Sequence, residues 1–303
     1  MQLILLGSAA GGGVPQWNCW CPTCRGARGS PRRVAPRTQS SLAVSADGRR
    51  WFLCNASPDV REQISLLSRD DDRGAIRRSP IETILLTDAE LDHTLGVALL
   101  REAGALHVTA TCAVVRTLEI DSRLLPVARA FADVSVTELA LDVPTPLPYR
   151  DGARSGLEVE AFAVPGDPPR FASDDMPGHT VGLVMRDRAT GSACAFVPGC
   201  AELDTTIIER LAAADVVLFD GTFWSDDELI ALGVGTRRAV ELGHVPISGG
   251  GGSLHALGAL PSRRKVYTHI NNTNPVLIES SLERMTVERA GCEIGMDTMR
   301  FEV

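Results

Sequence analysis

IETILLTDAELDHTLGVALLREA, Ile81 to Ala103, reads as a strand, a loop and a helix in immediate succession. Ile84–Leu86 is an apolar run of strand length, and LGVALLREAG has helical spacing with Gly104 as a stop. Between them the loop Thr87–Gly96 carries Asp88, Glu90, Asp92 and His93. Polar side chains gathered beyond the end of a strand are where α/β folds place their chemistry. The same alternation runs outward in both directions. Leu3–Leu6, Ser41–Ser45, Trp51–Cys54, the run LEVEAFAV from Leu157, Val181–Met185, Ala193–Val197, Val216–Phe219, Val266–Ile270 and the closing DTMRFEV are strand-like. PDVREQISLL, CAVVRTLEI, DTTIIERLAAA and PVLIESSLERMTVERA have helical spacing, with Ser57-Pro58 as one start and Gly291 as one stop. This mix predicts an α/β or α+β layered fold, with two sheets between helices as one arrangement that satisfies it. The expected loops are Gly26–Arg37, Ser68–Pro80, Val143–Gly156 and Gly166–Gly178, the last long enough to act as a lid.

Of the 303 residues, 44% are hydrophobic and 22% charged, which allows a sizeable buried core. A net charge of −8 without a long Lys/Arg run argues against a nucleic-acid partner. No stretch approaches the roughly 18 apolar residues that a membrane span needs. The start MQLILLGSAAGGG has no basic region, and Leu3–Leu6 is too short for a signal-peptide core. A cytoplasmic protein without membrane insertion is expected. In that reducing compartment, eight cysteines point to metal ligands or buried thiols before disulfides.

WNCWCPTC sets Cys19, Cys21 and Cys24 in a C-x-C-x₂-C cluster, close enough along the chain to turn around one tetrahedral zinc ion. A closed structural site needs a fourth ligand from elsewhere. Cys54, Cys112, Cys194, Cys200 and Cys292 are scattered and are expected to be buried small hydrophobes. In KVYTHINNTNP, His269 ends an apolar strand and is followed by Asn271, Asn272 and Asn274. Together with Asp92 and His93 it makes one carboxylate and two imidazoles. That set suits non-haem Fe(II) and leaves coordination positions for O₂. The sequence leaves open whether His269 meets Asp92 in space. The glycine runs Gly11–Gly13 and Gly249–Gly252 lack nucleotide-loop spacing. His179 is expected to cap a strand, and His107 and His255 to be structural.

LGSAAGGGVPQWNCWCPTCRGAR, NASPDVREQ, SPIETILLTDAELDHTLGVALLREA, FVPGCAELD, DGTFWSDDE, LGHVPISG and THINNTNPVL resemble, in order and over nearly the whole length, the PqqB family of pyrroloquinoline quinone (PQQ) biosynthesis. That family is a branch of the metallo-β-lactamase superfamily, close to cyclic phosphodiesterases of the phosphonate pathway and to ribonuclease Z. The resemblance implies an αββα sandwich, two mixed sheets face to face with helices outside, in a single domain over 1–303. The superfamily metal loop T-H-x-H-x-D-H falls on Thr87–His93, so Asp88 and Glu90 stand at its first two histidine positions while Asp92 and His93 remain. The late metal histidine matches His269. The bridging aspartate position offers Gly199 and Cys200, and an early aspartate has become Asn55. The dinuclear hydrolase centre is therefore not intact, and the three-ligand mononuclear set survives. Asp88 and Glu90 are expected to orient ligands or transfer protons. His244 matches a position where a histidine sits beside the substrate, as general base, hydrogen-bond donor or fourth metal ligand. The cysteine cluster resembles the structural zinc site of the cyclic phosphodiesterases. Their fourth ligand, a histidine, falls on Asn272 here, and Asn272, Asn274 or a water could fill the position.

What the resemblance implies for function is a step in making PQQ, a cofactor built from a crosslinked glutamate and tyrosine. The tyrosine ring must gain oxygen, and the family is associated with this Fe(II)- and O₂-dependent hydroxylation. The substrate is then a small molecule or short peptide carrying the Glu-Tyr crosslink, and other proteins of the pathway are expected partners. The competing expectation is a non-catalytic carrier that moves PQQ or its precursor toward the periplasm.

Overall fold

In the computed structural model, which describes residues 1–67 and 78–303, the strands form two seven-stranded sheets. In chain order they are β1 (Gln2–Gly7), β2 (Ser41–Ser45), β3 (Trp51–Cys54), β4 (Ile81–Leu85), β5 (Ala105–Thr111), β6 (Asp133–Leu139) and β7 (Thr145–Pro148), then β8 (Arg154–Ala163), β9 (Val181–Asp187), β10 (Ala193–Val197), β11 (Val216–Asp220), β12 (Arg264–Thr268), β13 (Glu293–Ile294) and β14 (Met299–Glu302). One sheet has the order β14-β1-β2-β3-β4-β5-β6, the other β13-β12-β11-β10-β9-β8-β7. Both are mixed. The first is antiparallel from β14 to β3 and parallel from β3 to β6. The second is antiparallel from β7 to β10 and parallel from β10 to β13.

In the central strands side chains alternate between two buried faces, which is why those strands are apolar with few breaks. Leu3 and Leu5 of β1 lie in the core between the sheets with Phe52, Met185, Phe196 and Leu218, whereas Ile4 and Leu6 face the helical layer with Leu53, Ile84 and Val97. Val217 and Phe219 of β11 face the helices over the other sheet. Each fully buried Leu or Phe contributes about 1.5–3 kcal/mol, so the inter-sheet layer anchors the ends of β4, β11 and β12, from which the functional loops leave.

Several local expectations change. β5, β6 and β7 were not visible as strands in the sequence, because β6 is half exposed and β7 holds two prolines. The expected loop Val143–Gly156 contains β7 and the start of β8, and Gly26–Arg37 overlaps the helix Pro22–Gly29. The helix after Ser57-Pro58 starts only at Val60, because the Ser57 carbonyl and hydroxyl first accept the Val60 and Asp59 N–H groups. The segment from Pro275 is a short 3₁₀ turn and then a separate helix, Leu282–Arg289, capped by Ser281. Cys112 is exposed, not buried. Most of the expected loop Ser68–Pro80 lies outside the described residues. Gly166–Gly178 carries no helix or strand and is pinned beside β4, since Thr111 donates to the Gly178 carbonyl and Val181 N–H to that of Thr87.

Candidate metal centre

The loop after β4 is fixed from below. Asn55, at the end of β3 with φ 62°, accepts from Thr87 N–H at 3.0 Å and donates to the Thr87 hydroxyl at 2.9 Å. Asn is among the few side chains that take a left-handed backbone readily. Further along, Gly96 N–H reaches the Ala56 carbonyl and Ala56 N–H the His93 carbonyl, both at 2.8 Å. A Cβ at Gly96 would fall 2.5 Å from the Ala56 and Ser57 carbonyl oxygens, so only glycine permits this buttress.

Within that frame Asp88 is an orienting group. It accepts from the Thr87 hydroxyl at 2.7 Å and from Glu90 N–H at 2.9 Å, and its oxygens lie 2.7 and 2.8 Å from His93 Nδ1. That bond assigns the Nδ1 proton and turns Nε2 outward. His93 Nε2 is buried and has no hydrogen-bond partner, with Asp92 Oδ2 3.8 Å away. An unpartnered imidazole nitrogen in a buried position is costly unless something fills it. His269 brings its Nε2 to 3.3 Å from Asp92 Oδ2. Its Nδ1 lies 2.8 Å from the Thr222 hydroxyl, which donates in turn to Asp220 at 2.6 Å. One ligand atom each from Asp92, His93 and His269 lies within 4.8 Å of the others. Two imidazoles with anchored Nδ1 protons and one carboxylate form a donor set that fits a divalent metal.

A second set of atoms, from Asp220, His244 and His269, is equally close. Here the atoms are spent on one another. Asp220 accepts from Thr222 N–H and hydroxyl and from Cys200 N–H, and its Oδ2 accepts from His244 Nδ1 at 2.7 Å. It is a completely buried hub that holds His244 and, through Thr222, His269. The His244 ring stacks over that of His269 with centroids 5.3 Å apart. Cys200, at the bridging position, is pushed up to about 12 by burial and then by Asp220, so it stays a neutral thiol. Glu90, an exposed residue, is raised by partial desolvation and then by Asp88 and Asp92, and its side chain makes no hydrogen bond or ion pair among the described residues.

Burial opposes charge on His93, but Asp88 and then Asp92 outweigh it and hold the imidazole up at about 9. A cation must displace that proton from Nε2. Metal affinity is therefore expected to fall about tenfold per unit as pH drops below about 9, and binding at neutral pH to release about one proton. Calorimetry in buffers of different protonation enthalpy measures this, and zero release would show His93 already neutral. In metal-free protein the same raised pKa adds stability that is fully present below the ordinary value of 6.5 and is lost as pH rises through about 9.

The thiols of Cys19, Cys21 and Cys24 also lie within 4.8 Å of one another. Asn272 packs on them, donating from Nδ2 to Cys24 Sγ at 3.3 Å and accepting at its backbone carbonyl from the Thr23 hydroxyl. Burial opposes the thiolate at both inner cysteines. The Thr23 hydroxyl and neighbouring donors still hold Cys21 down, while Cys24 is pushed up to about 11.

The beta-lactamase superfamily domain matches residues 50–270, a span that holds all three residues of the candidate set but not the cysteine cluster. Over 309 aligned residues, and the full length of both chains, the sequence is 45% identical to coenzyme PQQ synthesis protein B of Methylobacterium nodulans. The chain belongs to the coenzyme PQQ synthesis protein B family. Within that family, the crystal structure of zinc-bound PqqB from Methylobacterium extorquens superimposes with a TM-score of 0.90 at 40% identity, covering all of both chains. Outside it, a diphosphatase of the PhnP family shares the fold, with a TM-score of 0.68 at 18% identity over all of this chain and 97% of the other. Against this PqqB-family frame, sequence reasoning missed Asp220 and Thr222. The signal was present: VVLFD ends an apolar strand on a carboxylate, just as KVYTH ends one on an imidazole.

Proposed function

We propose that the chain acts in PQQ synthesis, the process for which its relatives are named, by hydroxylating the tyrosine ring of the crosslinked Glu-Tyr precursor with iron, O₂ and an external two-electron reductant, one oxygen atom entering the ring and the other leaving as water. The observation that carries this is the buried, unpartnered His93 Nε2 facing Asp92, with His269 Nε2 closing the set. Asp92, His93 and His269 would hold Fe(II), which supplies redox chemistry and open positions for O₂ and the phenol. Asp88 and Thr222 keep the Nδ1 protons of the two imidazoles away from the metal side. His244 has Nδ1 committed to Asp220 and offers Nε2 as a proton acceptor for the phenol. Glu90, whose carboxyl is raised, is placed to exchange a proton at the rim. The cysteine cluster would hold a structural zinc, in keeping with the zinc bound by the relative from Methylobacterium extorquens. No described helix is long and apolar enough to cross a membrane.

Hydrolysis by a dinuclear centre is disfavoured by the same geometry. Asp88 spends both oxygens on holding His93, and Cys200 is a neutral thiol where a bridging carboxylate would be needed. The deciding experiment supplies anaerobically purified protein with Fe(II), ascorbate as the two-electron donor, the crosslinked Glu-Tyr substrate and isotopically labelled O₂. A mass gain of one or two labelled oxygen atoms is expected. Binding without any mass change would favour a carrier, and cleavage of a cyclic phosphate diester would favour a hydrolase.

A further inference from the structure

The turn that carries His269 is held from two directions. His269 has φ 53°, a left-handed backbone that a non-glycine residue keeps only where its surroundings enforce it. Ile270 is clamped by β1's continuation, its N–H donating to the Ser8 carbonyl at 2.9 Å and its carbonyl accepting from Ala10 N–H at 3.0 Å. Asn271 N–H donates to the Thr222 carbonyl at 3.0 Å, and Asn274 Nδ2 to that of Gly221 at 2.9 Å. Asn272 differs: its polar contacts are all with the cysteine knuckle, its backbone carbonyl accepting from the Thr23 hydroxyl and the Cys21 thiol and its side-chain Nδ2 donating to Cys21 and Cys24 Sγ. The same N-terminal segment touches Asp92, because a Cβ at Gly11 would sit 3.2 Å from its Oδ2. His93 is held independently by Asp88.

We propose that the Cys19–Cys21–Cys24 knuckle, acting through Thr23 and the positioning residue Asn272, is a latch that sets His269 for metal binding, so that the two sites fill cooperatively. This rests on the reading that Asp92, His93 and His269 hold a metal. A neutral thiol is a weak acceptor, so without zinc the Asn272 N–H···S bonds are weak. Zinc converts the thiols to thiolates, which accept more strongly. The turn from His269 to Asn274 is then fastened at Asn272 as well as at its ends. Because the coupling is between binding free energies, it is reciprocal. A metal at His269 tightens zinc at the knuckle by the same factor.

The test is titration of the second site with Co(II), read by its ligand-field spectrum, in protein whose knuckle is loaded with zinc or is zinc-free with its thiols blocked by reversible methylthiolation, which keeps Co(II) out of the cysteines. Loading is expected to raise Co(II) affinity about tenfold, the usual size of an effect transmitted by a ligand's outer partners. In Asn272→Ala that gain disappears. Thr23→Val, which keeps every thiol but loses the hydroxyl donor to Asn272, shows it reduced, and Thr23→Ser restores it. Equal Co(II) affinity with and without knuckle zinc in the wild-type chain overturns the latch and needs no variant to fold. Persistence of the full gain in Asn272→Ala also overturns it. Failure of wild-type protein to bind Co(II) at all would sink the three-residue site, and the latch with it.

Discussion

His269→Asn, Asp92→Asn and His93→Ala are each expected to abolish turnover and to cut iron affinity by more than about a hundredfold, beyond what loss of an outer partner does. The three variants differ in what else they disturb. At His269, asparagine tolerates the left-handed backbone recorded at φ 53°, so the fold should survive and the loss be attributable to the missing imidazole. Asp92→Asn keeps the shape that packs against Gly11 and removes only the anion. His93→Ala is harsher. It leaves the buried Asp88 carboxylate without its main partner, at a cost of about 3–5 kcal/mol. Iron content per chain and oxygen uptake should therefore be measured beside a melting curve. Full iron and full turnover in any one variant would show that the set is wrongly drawn.

The fold was legible where apolar runs were unbroken. β1 to β4 and β9 to β12 are largely buried on both faces, so their apolar runs marked them, and β8 was marked by its alternation of buried and partly exposed residues. β6, at the open edge of its sheet, alternates with exposed residues and passed unnoticed. The site was legible through residue type at strand ends. Asp92, His93 and His269 stood out because polar groups follow apolar strands, yet only the fold brings positions 177 residues apart to 3.3 Å. The role of Asp88 was read as orientation or proton transfer, and its bonds to His93 Nδ1 give it the first of these geometries. Asp220 was not legible because the superfamily's bridging position falls on Gly199 and Cys200, in FVPGCAELD, and not on VVLFD. The carboxylate that organises this side of the centre lies one strand further on, where it reaches Cys200 by accepting its backbone N–H.

Asp220→Asn should be the most damaging substitution that touches no proposed metal ligand. The carboxylate is completely buried and accepts from four donors: Thr222 N–H at 3.0 Å, the Thr222 hydroxyl at 2.6 Å, Cys200 N–H at 3.0 Å and His244 Nδ1 at 2.7 Å. An amide has one acceptor oxygen, so whichever way it turns, its NH₂ faces two of these donors. Each donor left unsatisfied in a buried site costs about 1–3 kcal/mol, so a loss on the order of 3–5 kcal/mol is expected and should lower the melting temperature by several degrees. The chemical effect follows a definite path. With the NH₂ on the Oδ1 side, the Thr222 hydroxyl turns its proton elsewhere and no longer accepts cleanly from His269 Nδ1, so His269 loses its fixed tautomer. With the NH₂ on the Oδ2 side instead, the His244 ring is free to rotate off its stack with His269. Iron affinity should drop about 10–100-fold, with turnover at saturating iron also reduced because His244 no longer presents Nε2. Thr222→Val separates the two arms, since it removes the support of His269 while leaving the bond from His244 to Asp220. It should weaken iron binding and leave saturated turnover largely intact. If Thr222→Val instead lost turnover at full iron while binding it normally, the hydroxyl would be acting on substrate rather than through His269.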